Sequence, residues 1–361
     1  MGTERKFITR YDAQPPFFVG VDLGGTATKI GLVDDYGRIL NWCQEATECE
    51  NGPEDTIRRI GKRIMELTKE ADLSLSQIAR VGLGAPGILN FAEGKMVNPT
   101  NFPGWNNFPV RDILSNHCGM PVSFVNDASA AAYGEFWVGK GRMFHSMIML
   151  TLGTGVGCGI IVGDLILEGE NGHGTECGHI IVDSSESAKK CSCGQLGHLE
   201  SYACAKAVVR DAHEILLNPK IQTSIRARLE NGEPLTALII GEEAEKGDEI
   251  ALSIVMKTAK YIAIGLVSLL HTIDPSGILL GGSMTFNQPH WTLGGRFLER
   301  IRQEICQRTF PTLAENLVLE FASLGADAGF LGAAGVARME FRRRKGPEAT
   351  RQAQRSTSSL I

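Results

Sequence analysis

The chain has 361 residues, of which 43% are hydrophobic and 21% charged, with a formal net charge of −5. That length accommodates two domains with separate cores, and the composition is that of an ordinary globular protein. The acidic balance argues against a surface steered toward nucleic acid, and no run of about 18 uncharged apolar residues is present to form a membrane helix.

The N-terminal MGTERKFITRYDAQPP lacks the apolar stretch and cleavage signature of a leader, so a cytoplasmic protein is expected. Residues 1–16 read as a disordered lead-in ended by Pro15-Pro16. Phe17–Leu23 is a buried strand that ends in Gly-Gly-Thr; ATKIGLVDD follows as a second strand and Arg38–Cys43 as a third. From Pro53 to about Glu70 the apolar residues Ile57, Ile60, Ile64 and Leu67 have helical spacing. Ile78–Leu83 is a short strand ending in GAPG, and Val122–Ala128 a strand that runs into an alanine-rich helix. Ser146–Leu167 reads as strand, Gly turn, strand, turn, strand. A long helix covers roughly Asp248 to Thr272 and is stopped by Asp274-Pro275. Gly277–Leu280 is a strand opening into Gly281-Gly282-Ser283, and Asp327 to about Glu340 a final helix. The stretch 342–361 is polar and basic and reads as a solvated tail. The expected layout is a small α/β lobe over 17–127 completed by helix 327–340, a large α/β lobe over 128–326 with a metal-binding loop at 174–200, and a disordered tail over 341–361.

One internal similarity organises the rest. VGVDLGGTATKIGLVDDYGRIL and MLTLGTGVGCGIIVGDLIL share a strand, a Gly/Thr turn, a second strand and an acidic turn, and placing Gly24 on Gly153 sets Asp35 on Asp164. One supersecondary unit is used twice.

The turns carry the chemistry. In Asp22-Leu23-Gly24-Gly25-Thr26, paired glycines let backbone N–H groups approach a phosphate, Thr26 adds a hydroxyl, and Asp22 could hold Mg²⁺ through water. An ordinary hairpin turn is the rival reading. The twin turn Gly153-Thr154-Gly155 suits the second side of an ATP clamp. Gly281-Gly282 would let an adenosine lie close to the backbone, or merely serve a strand-to-helix turn. Gly134 to Gly141 nearly matches a P-loop, but it lacks the final Ser/Thr and follows a helix, so it is set aside.

Asp127, at the end of a strand and the start of a helix, is the candidate general base for a sugar hydroxyl; a plain helix cap is the alternative. Asn126 and Asn101 are candidate sugar-hydroxyl ligands, Asn101 lying in a Pro/Asn/aromatic loop beneath which Trp105 is expected to pack. His179, Cys191, Cys193 and His198 form a two-Cys, two-His set suited to tetrahedral structural Zn²⁺. The polar SSESAKK between them has no core of its own, so a metal staple would have work there. Glu176 and Glu200 flank this set and could accept hydrogen bonds from vicinal sugar hydroxyls.

Together these residues resemble the ROK family of sugar kinases, within the actin/hexokinase superfamily, over about 17–340. DLGGT, GAPG, the Asn-Phe-Pro-x-Trp loop, VNDA, LGTGVG, GTECGH and CSCGQLGHLE fall in the family's order. The resemblance implies a two-lobed actin-like ATPase (ribonuclease H-like) fold with duplicated βββαβα units and a cleft between lobes. It implies ATP-dependent phosphorylation of a hexose, glucose foremost, with Asp127 as base. Asn101, Asn126, Glu176, His179 and Glu200 would bind sugar. Asp22, Gly24, Gly25, Thr26, Lys29, Gly153, Thr154, Gly155, Gly281 and Gly282 would line the nucleotide side. The partners implied are ATP with Mg²⁺, a hexose, structural Zn²⁺ and a second copy in a homodimer, with no nucleic acid or membrane. Kinases for N-acetylglucosamine, N-acetylmannosamine, fructose or mannose are the variants. A sugar-responsive repressor of the same family needs an N-terminal helix-turn-helix, for which the residues before Phe17 are too few. One departure stands out: His198 occupies the place of a third cysteine in the family's CxCGxxGCxE pattern.

Overall fold

The computed structural model describes residues 5–99 and 102–345. In chain order the first elements are β1 (Phe17–Leu23), β2 (Ala27–Val33), β3 (Ile39–Ala46), α1 (Pro53–Glu70), β4 (Ile78–Ala85), β5 (Ile88–Asn90), β6 (Lys95–Val97) and α2 (Val110–Cys118). Next come β7 (Val122–Asn126), α3 (Asp127–Val138), β8 (Ser146–Leu152), β9 (Val156–Val162), β10 (Leu165–Ile166), α4 (Glu200–Ala203), α5 (Ala205–Leu216) and α6 (Ile225–Glu230). The chain closes with α7 (Ala237–Glu245), α8 (Glu249–Ile273), β11 (Gly277–Gly281), α9 (Leu293–Cys306), α10 (Pro311–Asn316), β12 (Val318–Phe321) and α11 (Ala328–Lys345).

Two five-stranded sheets have orders β3-β2-β1-β4-β7 and β10-β9-β8-β11-β12. In each, three strands form an antiparallel meander, and two more join in parallel beside the first of them. The duplication read from two hairpins therefore extends to all five strands of each sheet. Asp35 and Asp164 both fall in the turn between the second and third strands. The Gly turns differ by one residue: Leu23 pairs Thr28, whereas Leu152 pairs Val156.

The described residues divide into two compact units. The first holds 5–143 (except 100 and 101), 168–174 and 324–345; the second holds 144–167 and 175–323. The boundary thus lies after α3, not before it as expected at 127/128. The reason is close helix packing inside the first unit. A Cβ on Gly332 of α11 would sit 1.6 Å from the Ala130 carbonyl oxygen of α3, so only glycine permits the approach. The other side of α11 covers the sheet, burying Phe330, Ala333 and Ala334 completely.

Two other expectations change. Residues 5–16 are not a disordered lead-in but run against β3, the sheet's edge strand. The Ile8 N–H donates to the Ile39 carbonyl (2.9 Å), and the Gln14 N–H to Asp34 Oδ2 (3.1 Å). The Arg5 guanidinium lies 3.6 Å over the Trp42 ring and donates to Asp327. At the other end, α11 continues through Arg342–Arg344 to Lys345, beyond the expected start of the tail at 341. Arg338 and Arg342 both pair with Asp35 (2.9 and 2.6 Å). Residues 346–361 lie outside the described chain.

In the second unit α8 packs between α7 and α9, burying Ile254, Ile262, Leu266 and Leu270. By length and composition it is the one helix among the described residues that could cross a bilayer, and half of that stretch is buried inside the unit.

Candidate functional site

In the first unit the β1–β2 turn is fixed from below. The Gly24 N–H donates to the Ala27 carbonyl (3.2 Å), and Thr47 Oγ donates to the Gly24 carbonyl (2.6 Å). Among the described residues, the Gly25 and Thr26 N–H groups have no protein partner, which is the state a phosphate cradle requires. Asp22 lies beside the first turn of α11, where a Cβ on Gly329 would strike its carboxylate at 2.5 Å. Burial pushes the Asp22 carboxyl above the usual carboxylate range, against the pull of Lys29 at 3.6 Å. Lys29, expected to face the nucleotide, is tied to Asp22 and donates to the Ala326 carbonyl (2.9 Å).

At the C-terminal end of β7 the two candidate residues divide their work. Asn126 is the helix cap: its Oδ1 accepts from the N–H groups of Ala128 (2.9 Å) and Ser129 (3.2 Å), and its Nδ2 donates to the Gly87 carbonyl (3.1 Å). A side chain so engaged is better placed to anchor the strand end than to receive a sugar, the role expected for it. Asp127 is the first residue of α3, and its Oδ1 accepts from the Ala128 N–H at 2.8 Å. Trp105 packs as expected, fully buried, its Nε1 donating to the Cys49 carbonyl (3.3 Å) and its ring edge-on to Phe102. Asn101 lies outside the described residues.

In the second unit three motifs from distant parts of the sequence meet at the β8–β9 turn. The Gly153 N–H donates to the Gly155 carbonyl (3.0 Å), closing the turn. The Ala205 N–H, opening α5, donates to the Gly153 carbonyl (2.8 Å), and the Val156 N–H donates to Glu200 Oε2 (3.1 Å). Gly282, at φ +92, lies against the backbone of Leu152, and the Met284 N–H donates to the Leu152 carbonyl (2.9 Å). As in the first turn, two N–H groups, those of Thr154 and Gly155, have no partner among the described residues. A cavity of about 340 Å³ opens beside it, lined by Thr154, Lys190, Ser192, Glu200, Lys206 and Arg210.

The donor atoms of His179, Cys191, Cys193 and His198 all lie within 4.8 Å of one another. His179 Nδ1 is 3.2 Å from His198 Nδ1 and 3.7 Å from Cys191 Sγ, and Cys193 Sγ is 3.3 Å from His198 Nδ1. A zinc tetrahedron with ordinary Zn–N and Zn–S bonds has edges of roughly 3.3–3.8 Å, so the four groups fit that ion. The fit includes His198, the departure from the family pattern. Burial lowers the His198 pKa, and the neighbouring His179 lowers it further, which favours the neutral, ligating imidazole. Glu176 Oε2 stands 3.8 Å from His179 Nε2.

Sequence reasoning missed the side-chain clasp of this loop. Tyr202 Oη donates to Asp183 (2.6 Å) and accepts from the Lys189 N–H (2.7 Å), while its ring stacks on Tyr261 at 4.2 Å. The polar segment between the metal ligands is therefore held from two sides. Nothing in the local pattern of Asp183 or Lys189 signals this, because the partner lies in α4.

Two sheets of one topology, each opening on a Gly/Thr hairpin with two amides unpaired among the described residues, define the actin-like ATPase architecture. Solved structures bear this out: the ROK hexokinase of Thermus thermophilus matches with a TM-score of 0.75 and 33% identity over 91% of this chain and 99% of that one. The model of the ROK family matches residues 18–340, and the chain belongs to that family. The glucokinase of Thermotoga maritima is 33% identical over 319 residues, 88% of this chain and 96% of its own length. A ROK family glucokinase from Streptomyces griseus, solved with glucose and AMPPNP, matches with a TM-score of 0.69 and 30% identity over 90% of this chain and 99% of that one.

Proposed function

We propose that the chain is an ATP-dependent glucokinase, transferring the γ-phosphoryl group of ATP to the 6-hydroxyl of glucose. The observation that carries this is the pair of Gly/Thr turns in the two repeats, each with two amides that have no partner among the described residues, accompanied by a carboxylate at the C-terminal end of β7 that is not the helix cap. The named glucokinases and the ROK hexokinase at 30–33% identity support the same reading.

In this mechanism the Gly25, Thr26, Thr154 and Gly155 amides receive phosphate oxygens, where fixed N–H dipoles need no reorganisation as charge develops. Asp127 accepts the proton of the sugar hydroxyl as its oxygen attacks phosphorus. Asn126, by capping α3 and gripping Gly87, fixes the backbone from which Asp127 projects. Asn101, Glu176 and His179 supply hydroxyl contacts. Asp22 would hold Mg²⁺ through water, its raised pKa falling once the cation is near. His179, Cys191, Cys193 and His198 would hold Zn²⁺, which supplies a structural crosslink and no open coordination position. A cytoplasmic homodimer is the associated expectation.

A matrix of glucose, mannose, fructose, N-acetylglucosamine and N-acetylmannosamine against ATP and polyphosphate, read by product formation on purified protein, tests the proposal. Glucose with ATP is expected to give the highest kcat/KM. Absence of transfer to every hexose would end it.

A further inference from the structure

Glu200 enters the sequence reading as a sugar ligand, yet both its carboxylate oxygens are turned onto the protein. Oε1 accepts from the Ser192 hydroxyl at 2.6 Å, and Oε2 accepts from the Val156 N–H at 3.1 Å. Ser192 stands between the two metal-ligand cysteines. Val156 is the first residue of β9, immediately after the Gly153–Gly155 turn. One carboxylate thus bridges the CxC hairpin and the phosphate turn. Both bonds are charge-assisted, roughly twice as strong as neutral ones.

We propose that Glu200 is a positioning residue for the nucleotide: it braces the Gly153–Gly155 turn in its phosphate-ready conformation. The inference rests on the reading that this turn receives phosphate. The amide that Glu200 grips belongs to the peptide joining Gly155 to Val156, so the bond fixes the plane of the last peptide of the turn. At the other end the Ala205 N–H holds the Gly153 carbonyl. A turn braced at both ends has little ordering left to do when the triphosphate arrives, and that entropy is spared at binding.

Residue 155 reports on the same contact. A Cβ placed on Gly155 would sit 2.5 Å from Glu200 Oε2, too close for any ordinary contact. Glycine is required there so that the carboxylate can reach the amide, apart from any approach of phosphate. The bridge also links the metal loop to this turn through Ser192, which stands between Cys191 and Cys193.

The test is isothermal titration of Mg·ADP in the absence of sugar, with wild type, Glu200→Ala, Glu200→Gln and Gly155→Ala, each checked by circular dichroism. Glutamine keeps one oxygen to accept from Val156 and gains an amide N–H to donate to Ser192. Glu200→Ala is expected to weaken Mg·ADP about tenfold, the scale of one lost charge-assisted bond. Gly155→Ala is expected to do the same, while Glu200→Gln stays within about threefold of wild type. If Glu200→Ala binds Mg·ADP as wild type does and only the KM for sugar rises, Glu200 acts on the sugar alone and the inference fails. If wild type itself does not take Mg·ADP, the nucleotide reading beneath it fails first, and this inference with it. Should Glu200→Ala not fold, the Gly155→Ala and Glu200→Gln titrations decide the matter by the same criteria.

Discussion

Asp127→Asn separates chemistry from structure at the end of β7. The asparagine keeps an Oδ1 that can accept from the Ala128 N–H, the bond Asp127 makes at 2.8 Å. The cap on α3 belongs to Asn126 and is untouched. The substitution therefore removes the basic carboxylate and leaves the helix start in place. Loss of a general base lowers kcat by ~10²–10⁴-fold, which is roughly 3–5 kcal/mol in the barrier at 1.36 kcal/mol per factor of ten. Glucose affinity measured by titration should change by less than about threefold, and the melting temperature should hold. The companion variant, Asn126→Ala, should do the reverse in stability. It loses two accepted bonds and the Gly87 link, costing about 1 kcal/mol as caps typically do and lowering the melting temperature by ~2–4 °C. Steady-state rates with a coupled ADP assay and thermal melts on both variants complete the comparison. Near-normal turnover in Asp127→Asn, or a loss of stability there equal to that of Asn126→Ala, would refute the assignment of base and cap.

Elemental analysis should find zinc in wild type and none in Cys191→Ala, whose melting temperature should fall, while the Tyr202–Asp183 clasp keeps segment 183–190 resistant to limited proteolysis; equal zinc content in the two would rule out the ligand set. Gly332→Val should destabilise the protein by several kcal/mol, since a Cβ 1.6 Å from the Ala130 oxygen forces α11 and α3 apart; an unchanged denaturation midpoint would contradict the packing. Glu168 has its carboxyl pKa raised to about 7 by burial, with Glu340 adding to the rise and Arg343 opposing it. The folded state therefore holds a proton that the unfolded chain gives up near 4.5. The stabilising contribution is present below that value and is lost as pH rises toward 7. Glu168→Gln should accordingly be more stable than wild type at pH 8, with the gap closing by pH 5; parallel melting curves across that range would disprove it.

The repeat was legible because β1–β2 and β8–β9 share an order of apolar runs, glycines and an acidic turn, and each strand is buried enough to show as a continuous run. The two-Cys, two-His set was legible because its chemistry is rare and local. The unit boundary was not. α3 is alanine-rich with no amphipathic stripe, so its sequence does not say which sheet it serves; α11, about two hundred residues later, decides that through Gly332 and Ala130. The ordering of residues 5–16 was hidden for another reason: Arg5, Gln14 and the backbone of Ile8 hold it, and such polar anchoring leaves no apolar pattern. The inward turn of Glu200 was equally invisible, because it depends on where an amide 44 residues earlier points.

The first unit is discontinuous: its sheet is formed from the opening third of the chain, while the helix that covers that sheet is α11. During synthesis the whole of the second unit is translated before that cover is made. The β1–β4 surface meanwhile waits with its apolar side unshielded, the kind of exposed strand face on which chaperones act. A chain truncated after Ser323 should be bound by holdases, and one extended through Lys345, the end of α11, should be released.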